Sequence, residues 1–158
     1  MKRYIIDTSI LLHYIRQSAL ALKIESEHQL MSQDVVPMVA AVSIGEIEGF
    51  VQRRNWGEKK INNLKRLLSR ILVVDIAGQD ENLMKAFATL TNYSRNCLPE
   101  KPLGRSVSIG QNDLWIAAVA KVANAELITA DGDFDHLNGA WLAVHKYDQS
   151  INSRSLPS

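Results

Sequence analysis

Four acid-bearing segments are spread along this chain: Ile5-Ile6-Asp7-Thr8-Ser9, Ser43-Ile44-Gly45-Glu46, Asn112-Asp113-Leu114-Trp115-Ile116, and Thr129-Ala130-Asp131-Gly132-Asp133-Phe134. Each sets a carboxylate where an apolar strand ends or a helix begins. Strand ends of an α/β sheet converge on one edge, so acids remote in sequence can share one pocket. Like charges at short range repel, and such a pocket needs a counter-charge. A divalent cation with hard oxygen ligands, Mg²⁺ or Mn²⁺, supplies it. The chemistry implied is metal-dependent phosphoryl transfer.

Each acid also has a simpler account. Asp7 can cap the helix that follows it, and Ser43 with Glu46 matches a capping box. Asp113, at a helix start after Asn112, is favoured by the helix dipole. The last segment is harder to explain this way. Asp131, Asp133 and Asp135 fall within five residues, more acid than an Asp-Gly turn needs. An EF-hand is excluded, because position twelve counted from Asp131 is Leu142 rather than Glu. There is no Walker-type loop and no Gly-x-Gly-x-x-Gly, and His13, His28, His136 and His145 lack zinc spacing. His136 reads as a surface histidine, Cys97 as inert, and Trp115 and Trp141 as core.

The elements that must position these acids are short. Apolar runs predict strands over residues 4–6, 35–42, 71–74, 126–129 and 141–145. Ser9 is the expected cap of the first helix, and further helices are expected over 20–31, 43–52, 58–69, 79–93 and 113–123, the last capped by Asn112. Strands alternating with helices, with no hairpin signal, imply an α/β fold with a mostly parallel central sheet. Residues 94–110 hold Pro99, Pro102, Gly104 and Gly110 and read as a long functional loop. A single domain is expected over residues 1–147, with a polar tail over 148–158.

At 158 residues and 46% hydrophobic content the chain can bury one core. Its net charge of +1 does not by itself argue for nucleic acid. The distribution says more: Arg53, Arg54, Lys59, Lys60, Lys65, Arg66 and Arg70 are opposed only by Glu58. The single cysteine fits a reducing cytoplasm. Asp7, Thr8, Ser9 and His13 break the opening apolar run too early for a signal peptide. No stretch reaches the ~20 apolar residues of a membrane span, so a cytoplasmic protein with no membrane role is expected.

The four segments, in this order, resemble the PIN-domain nucleases, most closely the VapC-type toxins of bacterial and archaeal toxin–antitoxin pairs. That family opens with a strand and Asp-Thr-Ser, here Asp7, Thr8 and Ser9. Its second acid starts a Ser-x-x-Glu helix, here Ser43 and Glu46, and its third precedes an Ile-Ala-Ala helix, here Asp113. Its last lies in Thr-x-Asp-x-Asp-Phe, here Thr129, Asp131, Asp133 and Phe134. The resemblance runs from residue 3 to 147. Two places depart from it: residues 97–108 are longer and richer in proline, and a tail follows Tyr147.

The resemblance implies a PIN-like α/β/α sandwich hydrolysing phosphodiester bonds in structured RNA, a tRNA or rRNA. One or two Mg²⁺ ions, replaceable by Mn²⁺, would be held directly by Asp7 and Asp113, with Glu46 and Asp131 orienting water or completing a second site. Thr8, Ser9 and Thr129 would hydrogen-bond to these acids from behind. Asp131 is favoured over Asp133 as the fourth acid, Asp133 setting the loop. Arg53, Arg54, Lys59 and Lys60 would hold the RNA backbone. The implied partners are a VapB-like antitoxin and a second copy in a homodimer. The alternatives are an RNA-processing PIN nuclease outside any toxin pair, and a non-catalytic PIN-like binding module.

Overall fold

The apolar runs end where the helices begin, and that sets the architecture. A computed structural model describes residues 1–149. Strand β1 (Lys2–Ile6) passes directly into α1 (Thr8–Arg16), and α2 (Ala19–His28), β2 (Val35–Ala40), α3 (Ala41–Arg54), α4 (Glu58–Leu68) and β3 (Leu72–Val74) follow. Then come α5 (Glu81–Ser94), α6 (Gln111–Val122), β4 (Glu126–Thr129), a 3₁₀ helix (Gly132–Leu137) and β5 (Val144–Lys146). The strands form one sheet in the order β3-β2-β1-β4-β5, and every pairing is parallel.

Successive side chains of a strand point to opposite faces, so the sheet feeds two cores. Ile5, Met38, Ala40 and Leu127 pack beneath α5 and α6 with Leu83, Leu90, Ile116 and Phe134. Tyr4, Ile6, Val39 and Ile128 pack beneath the other helices with Ile10, Leu11, Ile24, Ile47 and Leu64. Helices therefore cover both faces, as in an α/β/α sandwich. No helix among the described residues is long and apolar enough to cross a membrane.

The chain leaves β1 toward β2 on one side and returns as β4 on the other. The carboxyl ends of β1 and β4 thus flank a topological switch point, where α/β sheets form crevices. Asp7 follows β1 there, its N–H donating to Ile128 O at 3.2 Å.

Several boundaries differ from the sequence expectation. β2 stops at Ala40 and α3 starts at Ala41, although Val42 reads as strand. Asp7, not Ser9, caps α1, its Oδ1 accepting from Ile10 N at 3.1 Å. Gly110 rather than Asn112 is the N-cap of α6. α2 ends at His28 because Gln29 takes the left-handed conformation at φ 53°. The fifth strand is displaced to 144–146: Trp141 N donates back to Leu137 O at 3.1 Å, closing a turn after the 3₁₀ helix. Trp115 and Trp141 are half-buried against the core, whereas Trp56 is buried. His28 and His145 lie with ring centroids 4.8 Å apart, but the His28 nitrogens engage the Tyr4 and Tyr147 hydroxyls. Most of the expected tail, residues 150–158, lies outside the described residues.

Candidate active site

Asp7 is 4% exposed, and its carboxylate serves three donors. Oδ1 accepts from Ser9 Oγ at 2.8 Å and from Ile10 N, and Oδ2 accepts from Thr129 Oγ1. Thr129 ends β4, and its Oγ1 in turn accepts from Asp131 N at 2.9 Å. The two strand ends are thereby tied together through side chains. Glu46 enters from α3: Thr8 Oγ1 lies 2.9 Å from its Oε1 and 3.0 Å from the buried Ser43 Oγ. The capping box expected of Ser43 and Glu46 does not form, because α3 begins two residues ahead of Ser43. Glu46 is instead free to face the cleft.

Asp113 stands in the first turn of α6. Asp131 precedes the 3₁₀ helix and caps it, its Oδ1 accepting from Asp133 N at 2.9 Å. Asp7, Thr8, Ser9, Glu46, Asp113 and Asp131 line one cavity of about 460 Å³. Oxygen atoms of Asp113, Asp131 and Asp133 lie within 4.8 Å of one another. The Asp133 carboxylate, expected only to set the loop, stands with the other two.

The electrostatics show what this crowding costs. Burial pushes the Asp7 carboxyl above the ordinary range, against the hydrogen bonds from Thr129, Ser9 and Ile10, and the Asp131 charge adds to it. Asp113 is raised to about 7, first by burial and then by Asp131, Asp7, Asp133 and Glu46. No lysine or arginine lines this cavity among the described residues. The nearby Lys146 is engaged by Asp135 at 2.7 Å. An all-oxygen donor set, several net negative charges and a carboxyl proton held near neutral pH together fit a hard divalent cation. Asp113, Asp131 and Asp133 would hold it, with Asp7 able to join through remaining lone pairs.

The basic stretch divides between two faces. Arg53 and Arg54 lie over the Phe50 ring, 5.0 and 4.6 Å from its centroid, and Phe50 lines the acidic cavity. Lys60 covers Trp56 at 4.2 Å, and Lys59 is exposed on α4. Arg66 and Arg70 line a separate groove with Tyr14, Leu22, Met31 and Leu67. Sequence reasoning missed Leu12 and Phe50, which also line the acidic cavity. Each lies four residues beyond a cleft residue, Thr8 or Glu46, a spacing that puts the pair on one helix face. His136 is half-buried rather than a plain surface residue, with Nε2 2.7 Å from Ser94 Oγ.

The Asp7 contacts give a prediction about folding alone. Asp7→Asn keeps an oxygen for Ile10 N and turns an NH2 donor toward Thr129 Oγ1, whereas Asp7→Ala removes the cap and leaves the Thr129 hydroxyl with no side-chain partner there. A lost N-cap costs about 1 kcal/mol, and an orphaned buried hydroxyl about 1–3 kcal/mol. Both variants remove the charge, so their difference isolates the hydrogen bonds. Urea unfolding should show Asp7→Ala less stable than Asp7→Asn by about 2–4 kcal/mol; matching midpoints would disprove the point.

Known proteins share this architecture. The structure of VapBC2 from Rickettsia felis bound to a DNA fragment from its promoter superposes with TM-score 0.71 at 21% identity, over 92% of this chain and 99% of that one. VapBC-1 from nontypeable Haemophilus influenzae gives TM-score 0.66 at 22% identity, over 91% and 97%. VapBC-5 from Mycobacterium tuberculosis gives 0.56 at 24% identity, over 94% and 99%. At these identities the likeness is one of fold. A search of curated proteins gives no match. The family model for the PIN domain matches residues 4–140. That span holds both strand ends of the switch point and every acid gathered there, and so the chain belongs to the PIN domain family.

Proposed function

We propose that this protein is a metal-dependent endoribonuclease acting on structured RNA, and the toxin of a type II toxin–antitoxin pair. The observation that carries the reading is the convergence of Asp7, Glu46, Asp113 and Asp131 on one cavity without a basic residue among its described lining. Family membership and the VapBC complexes of the same fold support it. A bound Mg²⁺, or Mn²⁺ in its place, would polarise the scissile phosphate and lower the pKa of an attacking water.

The chain's own residues do the rest. Asp113, Asp131 and Asp133 supply oxygen ligands, and Asp7 completes the set while Ser9 and Thr129 fix its carboxylate. Glu46, steadied by Thr8, orients the water and can take its proton. Arg53 and Arg54, beside Phe50, offer cations and an aromatic face where the RNA would leave the cleft. The proposed protein partner is a VapB-like antitoxin. The groove of Tyr14, Leu22, Met31 and Leu67 suits an amphipathic segment of it, since Leu22 is 64% exposed there. A homodimer in the cytoplasm belongs to the same reading, and light scattering tests the dimer.

The decisive experiment incubates total bacterial RNA with antitoxin-free protein in Mg²⁺, Mn²⁺ or EDTA. Discrete fragments are expected with either cation and none in EDTA. Cleavage that persists in EDTA would defeat the metal-dependent mechanism. Folded protein that binds Mn²⁺ yet cuts no cellular RNA would defeat the ribonuclease reading.

A further inference from the structure

A second cavity draws on the same first turn of α6 as the acidic one, and the function above does not use it. It encloses about 380 Å³ between the end of α5, the loop over residues 97–110 and the first turn of α6. That volume lies in the range of ligand sites. Thr91, Ser94, Arg95, Ser106, Ser108 and Leu114 are among its walls, and no carboxylate is among the described residues there. The two cavities therefore have opposite charge: one gathers four carboxylates, the other offers hydroxyls and a guanidinium.

The chain also links their linings. Leu114 follows Asp113 in the same helical turn, and Ser108 lies five residues before Asp113. Ser94 meets His136 on the 3₁₀ helix that begins beside Asp131. The cavity is preformed, because its loop is fastened at several points. Val107 N donates to Ser94 O at 2.7 Å, and Asn96 Oδ1 accepts from both Leu103 N and Gly104 N at 3.0 Å. Lys101 Nζ donates to Ala140 O at 2.6 Å and lies 4.1 Å from the Trp141 ring centroid. Arg95 is exposed, and it belongs to none of the salt bridges among the described residues.

We propose that this cavity binds a backbone phosphate of the RNA next to the scissile one, with Arg95 as the cation and Ser106 and Ser108 as hydrogen-bond donors. The inference rests on the ribonuclease reading. A cleft of carboxylates repels the rest of a polyanion even when a cation neutralises the reacting phosphate. A guanidinium flanked by hydroxyls offsets that repulsion and fixes the register of the strand. It also gives the irregular 97–110 loop a role in choosing which phosphodiester enters the cleft.

The test measures kcat and KM on bulk tRNA with Mg²⁺ over a series of KCl concentrations. Arg95→Gln should raise KM roughly 10-fold with kcat nearly unchanged, and reduce the salt slope of log kcat/KM by about 0.7, the value for one single-strand phosphate. Arg95→Lys should restore the slope but not the full affinity, because it lacks the bidentate fork. Ser106→Ala with Ser108→Ala should raise KM while leaving the slope alone. The Mn²⁺-induced rise in Tm should be the same in every variant.

An arginine at a helix end can also serve the helix dipole. A lower Tm for Arg95→Gln with wild-type KM and salt slope would assign it that role and overturn the proposal. Unchanged RNA kinetics with weaker inhibition by the co-expressed antitoxin would instead assign the cavity to a protein contact. If the wild-type protein cuts no RNA, the ribonuclease reading itself has failed, and that result is visible before any variant is made.

Discussion

Replacing Asp113 by asparagine is expected to lower metal-dependent RNA cleavage by more than about 100-fold, beyond what loss of a supporting hydrogen bond produces. The same change should make the cation-free protein more stable. Both effects have one origin. Asp113 is half-buried among four other acids, and its carboxyl is raised to about 7 from an ordinary 3.8. Between those values the folded protein keeps a proton that the unfolded chain releases. Stability therefore falls as pH rises through that window, and stays low above it. Asparagine does not titrate, so this part of the pH dependence disappears.

A cation reverses the balance for the wild type. It binds only the folded state and stabilises it by mass action, and it prefers the ionised carboxylate, so its effect is largest above pH 7. Thermal melts at pH 5 and pH 8, in EDTA and in Mn²⁺, separate these contributions. In EDTA the variant should melt above the wild type at pH 8, and the gap should narrow at pH 5. Mn²⁺ should raise the wild-type Tm and scarcely move that of the variant. An equal Mn²⁺ shift in both proteins would remove Asp113 from the ligand set. Residual cleavage near the wild-type rate would remove it from the mechanism.

Asp7 and Asp131 were legible in the sequence because each closely follows an uninterrupted apolar run. Ile5-Ile6 and Leu127-Ile128 can only be buried strands, and the residues after them must emerge at the sheet edge. β4 occupies the expected residues for that reason. The start of α3 was not legible, because Ala41 and Val42 continue the apolar run of β2. Tertiary packing, not propensity, turns the chain there. The consequence is functional: moving the helix start ahead of Ser43 releases Glu46 from a capping role and buries the Ser43 hydroxyl against Thr8.

The basic stretch shows the opposite limit. Its composition was plain, but its division into a cluster over Phe50 and a groove with Leu67 depends on how α3 and α4 are oriented. The cavity around Arg95 was even less accessible. Most of its walls come from the irregular chain between α5 and α6, whose path is set by the left-handed Asn96 and by bonds to Ser94 and Ala140. The sequence marks such a loop as unusual, and only the fold says what it encloses.

Phe134 joins the core to the site, and its truncation should be strongly destabilising. Its side chain is fully buried, while Asp133 and Asp135 on either side are exposed. Phe134→Ala should cost about 3–5 kcal/mol from lost burial and the cavity left behind. Set against a total stability of about 5–15 kcal/mol, that loss can leave little folded protein, so Phe134→Leu is the more informative variant. Leucine keeps the ring's anchoring role in part and leaves a smaller void.

The chemistry should suffer even where the fold survives. The 3₁₀ helix is a single short element, capped by Asp131 at one end and pinned through Phe134 and Leu137 to the core. Loosening that pin lets Asp131 and Asp133 move relative to Asp113, and the mutual approach of their oxygens within 4.8 Å is lost. Mn²⁺ affinity of Phe134→Leu, measured by calorimetry on folded protein, should fall roughly 10-fold, in the range seen when residues that orient metal ligands are altered. Wild-type affinity in a folded Phe134→Leu protein would mean that the Thr129–Asp7 link and the Asp131–Asp133 turn hold the acids without help from the core.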